Sequence, residues 1–299
     1  MNAPLQRFEQ LPMLAGNPWQ MSYGERSALE GILAQVRPEL AVEIGTAEGG
    51  SLARLAAWST AVHSLDLVKP AEAVSALPNV TFHTGDSHVH LPRVLAEIAA
   101  AGRNVDLILV DGDHSAEGVR QDIEDILASD AVCRTVIVLH DTMNDIVRAG
   151  LQAVDYERQA KVALVELDMV PGYLARREPY RLELWGGLGL ILVEARTLGA
   201  AKLVRDDRFH ELVSLLRPAR DVMRELEAEG RALDGAAAAA VEDALRERIL
   251  SGAFHEAARL RRELHTCTRR VHELEGSLSW RMTEPLRILK RRWLRTRES

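Results

Sequence analysis

The sequence predicts an α/β fold, a doubly wound parallel sheet that carries a helical C-terminal extension. Three observations predict it. Strand-like runs alternate with helix-like stretches from about residue 25 to about residue 195. The first strand runs into a glycine-rich turn, Gly45-Thr46-Ala47-Glu48-Gly49-Gly50, which opens a helix. Five strand ends in order carry acidic or imidazole side chains: Glu43, Asp66, Asp86, Asp111 to His114, and His140-Asp141. An acid at one strand end is ordinary turn or cap chemistry. Five on one edge are harder to obtain that way, and in a doubly wound sheet ligands sit at the carboxyl ends of the strands.

The elements follow in order. Residues 1–24 read as irregular, with Pro4, Pro12 and Pro18. Ser22 to Val36 reads as a helix that Ser22 can cap, with Leu29, Ile32, Leu33 and Val36 on its apolar face and Pro38 at its end. The first strand starts at Leu40, and after the glycine turn a helix starts at Ser51 with Leu52 and Leu55 on one face. Ala61 to Leu67 and Val80 to His83 read as strands two and three. A helix from Leu91 to Ala101 precedes strand four, Val105 to Val110, which runs into Asp111-Gly112-Asp113-His114-Ser115. A helix over Ala116 to Ala128 leads to strand five, Thr135 to Leu139, ending on His140-Asp141-Thr142. Val162 to Leu167 and Leu188 to Val193 bring the count to seven. No strand pattern follows Arg196, and 197–249 reads as a helical linker.

Composition excludes several classes. The 299 residues suffice for one sizeable domain and a smaller appendage. No apolar run approaches the ~20 residues of a membrane span, and MNAPLQRFEQ lacks the basic-then-apolar pattern of a leader. Cys133 and Cys267 are far apart and lack metal-ligand spacing, which argues against disulfides and structural zinc and suits a cytoplasmic setting. Residues 1–199 carry 16 Lys/Arg against 27 Asp/Glu, whereas 200–299 carry 21 against 17, so an acidic globular part bears a basic tail.

Glu43 stands two residues before Gly45, with Gly49 four further on. This E-x-G-x-x-x-G resembles motif I of the class I S-adenosylmethionine-dependent methyltransferases. The dinucleotide fingerprint would need glycine at position 47, which is Ala47. The resemblance covers about residues 25–196 and implies a Rossmann-like, seven-stranded, mostly parallel sheet with an antiparallel last strand. It also implies cofactor roles. Asp66 would accept the ribose hydroxyls, and Asp86 with Ser87 would lie near the adenine amino group. The turn Gly45, Thr46, Gly49 and Ser51, with Glu43, would hold the methionine end, and Asp111 would border the site.

VDGDHSAEGV and VLHDT resemble the metal-dependent O-methyltransferase branch, which includes macrolide-sugar methyltransferases and a cephalosporin-hydroxylase-like bacterial family. That resemblance makes Asp111 and Asp141 ligands of a divalent ion, Mg or Mn, and His114 the base that deprotonates the acceptor. The residue before the second aspartate is often acidic in that branch; here it is His140. Imidazole suits transition metals better than Mg²⁺. So His140 is a third ligand to a softer metal, or it stands outside the ligand set, or no metal is needed.

From Leu250 the apolar residues Ala253, Ala257, Leu260, Leu264, Cys267, Val271, Leu274 and Leu278 follow in alternating steps of three and four. This predicts a coiled coil over 250–280, and with it a homo-oligomer; the plainer alternative is one amphipathic helix packed on its own domain. Ser279 to Arg287 resembles a short element of bacterial polysaccharide glycosyltransferases and methyltransferases. Residues 281–299 read as a basic amphipathic tail, suited to an anionic membrane surface or a glycan-assembly partner. Nucleic acid is disfavoured because the rest of the chain is acidic. Together these resemblances imply an O-methyltransferase acting on a sugar hydroxyl of a surface polysaccharide or glycoside. Two alternatives stand: a phenolic or natural-product O-methyltransferase, and a non-catalytic methyltransferase-like assembly or membrane-docking module.

Overall fold

The computed structural model describes residues 19–68, 74, 76–175, 179–194, 202–203, 220–221, 223–225 and 228. All but Ala228 belong to the first of two units of the chain, Met1–Glu225. The expected coiled coil over 250–280, the basic tail over 281–299 and most of 1–24 and 197–249 lie outside the described residues.

Helix α1 (Tyr23–Val36) opens with a full capping box: the Ser22 hydroxyl accepts from the Glu25 N–H, and the Glu25 carboxylate accepts from the Ser22 N–H. Strand β1 (Leu40–Ile44), helix α2 (Gly50–Trp58) and strands β2 (Ala61–Asp66) and β3 (Val80–Thr84) follow. Helix α3 (Ser87–Ala100) starts four residues before the expected Leu91, because Asp86 caps it by accepting the His88 N–H. Strand β4 (Leu107–Val110), helix α4 (Ala116–Ala128) and strand β5 (Thr135–His140) come next. Helix α5 (Asp145–Ala153), which the sequence reading did not anticipate, is capped by Asn144. Strand β6 (Val162–Val170) leads into a hairpin of two short strands, β7 (Tyr173–Leu174) and β8 (Leu184–Trp185), and then β9 (Leu188–Val193).

All seven expected strands form. They join one sheet in the order β6-β9-β5-β4-β1-β2-β3, with β1 to β5 parallel and β9 antiparallel between β5 and β6. One correction is needed after Arg196, where only helix was expected: β10 (Lys202–Leu203) adds in parallel to Leu164 and Val165 of β6 as an edge strand. The strand order reverses at β1, which lies between β2 and β4. That is the topological switch point where doubly wound sheets leave a crevice.

Strand periodicity divides the core into two layers. Leu40, Val42 and Ile44 pack with Leu95, Ile123 and Val147 of α3, α4 and α5. On the other face, Ala41, Leu107 and Leu109 pack with Leu29 and Leu33 of α1 and Leu52 and Leu55 of α2. Glu43 has the parity of Ala41, so its side chain enters the α1/α2 layer.

Candidate active site

A cleft of about 580 Å³ opens at the carboxyl ends of β1 to β4. Ile44, Leu65 and Leu67 supply apolar wall; Gly45, Asp66, Asp86, Asp111 and His114 supply polar groups. This volume lies within the range of small-molecule sites. Gly45 has φ +86°, and a Cβ there would stand 1.9 Å from the Asp111 carbonyl oxygen, so the turn after β1 passes this close to Asp111 only because residue 45 has no side chain. Gly49 at φ +80° leads into α2, and even Ala47 sits in the left-handed region at +44°.

Asp66 holds this turn. Its carboxylate accepts the N–H groups of Thr46 (2.7 Å), Ala47 (3.0 Å) and Val68 (2.8 Å). Glu43 does not line the cleft. It is fully buried and accepts from Ser51 (2.7 Å) and Thr46 (3.1 Å), with Ser64 at 3.4 Å. Burial pushes its carboxyl up to about 8 against the pull of these hydroxyls. Glu43, Thr46 and Ser51 thus lie together beneath the turn, not at its ligand face. Asp86 lines the cleft while capping α3. Ser87 lines it too, with its hydroxyl donated to the buried Asp122 (3.3 Å). His88, a residue the sequence did not single out, packs beside them with Nδ1 3.1 Å from Asp122.

The second cluster gathers where β4 and β5 end. Asp111, His114 and Asp141 offer ligand atoms that all lie within 4.8 Å of one another. His114 Nε2 is 3.0 Å from Asp141 and 3.8 Å from Asp111. Bonding to these two carboxylates raises its pKa to about 9, with burial opposing. Asp141 has φ +54°, a conformation that aspartate tolerates better than most residues, and its carboxylate also accepts the Gly186 N–H at 2.6 Å. Burial pushes both Asp111 and Asp141 up, but the two imidazoles outweigh it and hold both below the usual carboxylate range.

His140 is placed differently from His114. It is buried, with Nδ1 2.9 Å from Asp111 and Nε2 3.4 Å from the fully buried Glu25 of α1. Burial disfavours its charge, yet the surrounding carboxylates win and raise its pKa well above the ordinary value. Both of its nitrogens face carboxylates, so it braces Asp111 from behind and His114 takes the third place beside Asp111 and Asp141. Glu25 also accepts the Gly187 N–H and so ties α1 to the β8–β9 turn.

Residues 42–142 match the family model described as a methyltransferase domain. The match runs from within β1 to the turn after β5. It contains every expected site residue, from Glu43 to Asp141, but not Glu25 or the β7–β8 hairpin. No curated protein matches the chain. Solved structures similar to parts of it include the O-methyltransferase from Bacillus cereus in complex with SAH, at 16% identity, covering 61% of this chain and 87% of that one with a TM-score of 0.41. Cofactor-bound Rv0187 from MTB is 19% identical, covering 62% and 86%, TM-score 0.43. The MycE methyltransferase of the mycinamycin biosynthetic pathway, in complex with Mg, SAH and mycinamycin VI, is 13% identical, covering 68% and 57%, TM-score 0.42.

Glu25 and Trp185 were missed in the sequence. Ser22-Tyr23-Gly24-Glu25 is legible as a cap, but nothing local shows that its carboxylate reaches His140 and Gly187. Trp185 meets the His114 ring edge-on at 5.4 Å between centroids, a contact of the same long-range kind.

Proposed function

We propose that this chain is an S-adenosylmethionine-dependent O-methyltransferase that methylates a hydroxyl of a sugar, in a surface polysaccharide or glycoside, with the help of a divalent ion. One observation carries the reading: Asp111, His114 and Asp141 converge at the rim of a switch-point cleft whose floor is Gly45 and Asp66. The residues suit the cofactor. Asp66 has two oxygens and about four acceptor sites, of which backbone N–H groups use three, which leaves capacity for a ribose hydroxyl. Asp86 offers an acceptor towards the adenine amino group, Leu65 and Leu67 offer apolar wall, and the turn from Gly45 to Ser51 would take the methionine end over the support of Glu43.

S-adenosylmethionine supplies an electrophilic methyl group on a sulfonium, and a divalent ion, when bound, lowers the pKa of the acceptor hydroxyl. Asp111 and Asp141 would hold that ion. His114 pairs with both carboxylates. A divalent ion on Asp111 and Asp141 would meet their charge instead and would leave His114 free to act as base towards the acceptor hydroxyl. Were His114 a third ligand, it would not be the base, and its nitrogen would favour Mn²⁺ over Mg²⁺. Methyl transfer from labelled cofactor to a panel of glycosides, with Mg²⁺, Mn²⁺ or EDTA, tests the reading. We expect Asp111→Asn, Asp141→Asn and His114→Ala each to lower turnover at least tenfold with cofactor affinity retained. Transfer to phenols and none to glycosides would favour the natural-product alternative.

The C-terminal segment enters the same proposal as a coiled coil over 250–280 that makes a homo-oligomer, with the basic end directed to an anionic membrane face or a glycan-assembly partner. Among the described residues no helix is long and apolar enough to cross a membrane.

A further inference from the structure

Beside His114 stands a wall of aromatic side chains that the cofactor site does not use. Trp185 meets His114 at 5.4 Å between centroids and meets Tyr180 at 5.1 Å, both edge to face. Tyr173 lies directly opposite Trp185 in the β7–β8 pairing. Tyr180 is 54% exposed and Tyr173 is 46% exposed. Large aromatic rings left in water beside a reactive cluster call for a cause.

The backbone is built to hold them there. The turn presenting Tyr180 is closed by the Glu183 N–H donating to the Tyr180 carbonyl at 2.9 Å. Leu182 in that turn is at φ +61°, a strained conformation for a branched side chain, while its side chain is buried. Leu184 anchors the hairpin in a small cluster with Met143 and Leu174. The Trp185 ring is fixed by its N–H donating to Glu183 at 2.9 Å. The next residue, Gly186, donates its N–H to Asp141, so the wall is tied directly to a candidate metal ligand.

We propose that Trp185, Tyr180 and Tyr173 form the acceptor subsite and that its occupant is the face of a pyranose ring. The inference rests on the methyl-transfer reading and names the group that receives the methyl. The C–H face of a pyranose is apolar and weakly positive, and it packs on the electron-rich face of an aromatic ring. The sugar's rim hydroxyls need polar partners, which the tyrosine hydroxyls and the Glu183 carboxylate supply. An open wall also leaves the rest of a glycan in water, whereas a phenol would gain most from a closed slot covering both faces of its ring.

Saturation-transfer difference NMR on the full chain tests this, with methyl α-L-rhamnopyranoside and methyl α-D-mannopyranoside as sugar probes and catechol as the phenol probe, each with and without S-adenosylhomocysteine. The expected result is saturation of sugar ring C–H protons by the wild type. It should fall several-fold in Tyr180→Ala and Trp185→Ala, and partly in Trp185→Phe. Unchanged calorimetric affinity of the Tyr180 and Trp185 variants for S-adenosylhomocysteine shows that they are folded. Equal saturation in wild type and both alanine variants overturns the wall. Saturation of catechol alone, or of neither sugar, overturns the pyranose assignment. Failure of the wild type to bind S-adenosylhomocysteine overturns the methyl-transfer reading instead, and the spectra taken without it still decide whether sugars use the wall.

Discussion

Glu43 is neutral over part of the physiological range, since burial lifts its carboxyl to about 8 against an ordinary value near 4.5. A group whose folded pKa is raised gives stability that is full below the unfolded value and is lost as pH rises through the folded one. The wild type should therefore lose stability between pH ~4.5 and ~8, by at most ~5 kcal/mol from this group. Glu43→Gln, neutral throughout and similar in shape, should flatten that loss, and denaturant titrations across the range check it. Asp66 acts differently, because three backbone N–H groups depend on it as well as the expected ribose. Asp66→Ala should weaken S-adenosylhomocysteine binding at least tenfold by calorimetry and cost about 1–3 kcal/mol of stability. Asp66→Asn should cost less stability. Both acids were legible as strand-end residues, but their duties were not. Parity sends Glu43 under α2, and Asp66 braces a turn that puts Ala47 where the backbone wants glycine.

Among the elements, helices α1, α2 and α4 were readable because each buries one apolar stripe, and the strands because they are short apolar runs, β1 and β4 being buried on both faces. Helix α5 was not, since its start is set by Asn144 accepting two N–H groups just after the His140-Asp141-Thr142 strand end. The β7–β8 hairpin was illegible for a different reason: two-residue strands carry no period. The contact that joins α1 to the site was hidden by distance along the chain. Glu25 sits in the first turn of α1 and answers to Ser22, Gly187 and His140 together. Glu25→Gln keeps the shape and removes the charge that faces His140. Breaking one partner of a buried pair typically costs about 3–5 kcal/mol, and the neutral isostere should fall at or below that range. The variant should also shift the pH profile of turnover, because His140 braces Asp111. Unchanged melting and an unchanged profile would mean that the Glu25–His140 contact is incidental.

At the scale of the whole molecule, a cut should follow Glu225 and not Arg196. β10 lies beyond Arg196, Arg220 pairs with Asp145, and Arg224 donates to the Leu182 carbonyl. Residues 1–225 should stay folded, bind S-adenosylhomocysteine and sediment with fewer copies per particle than the full chain. The same number of copies in both would mean that the stripe from Leu250 to Leu278 does not hold copies together. The sheet order also sets a timetable for a chain leaving the ribosome. β6 borders β9 and β10 but not β5, so when Val170 has been made its sheet neighbours have not. The five parallel strands can zip up early, along with the floor of the cleft. Asp141 waits some 45 residues for Gly186, which follows directly on β8. A chain stalled before β7 would carry the residues of the candidate cofactor cleft and lack Tyr173, Tyr180 and Trp185 of the proposed acceptor wall.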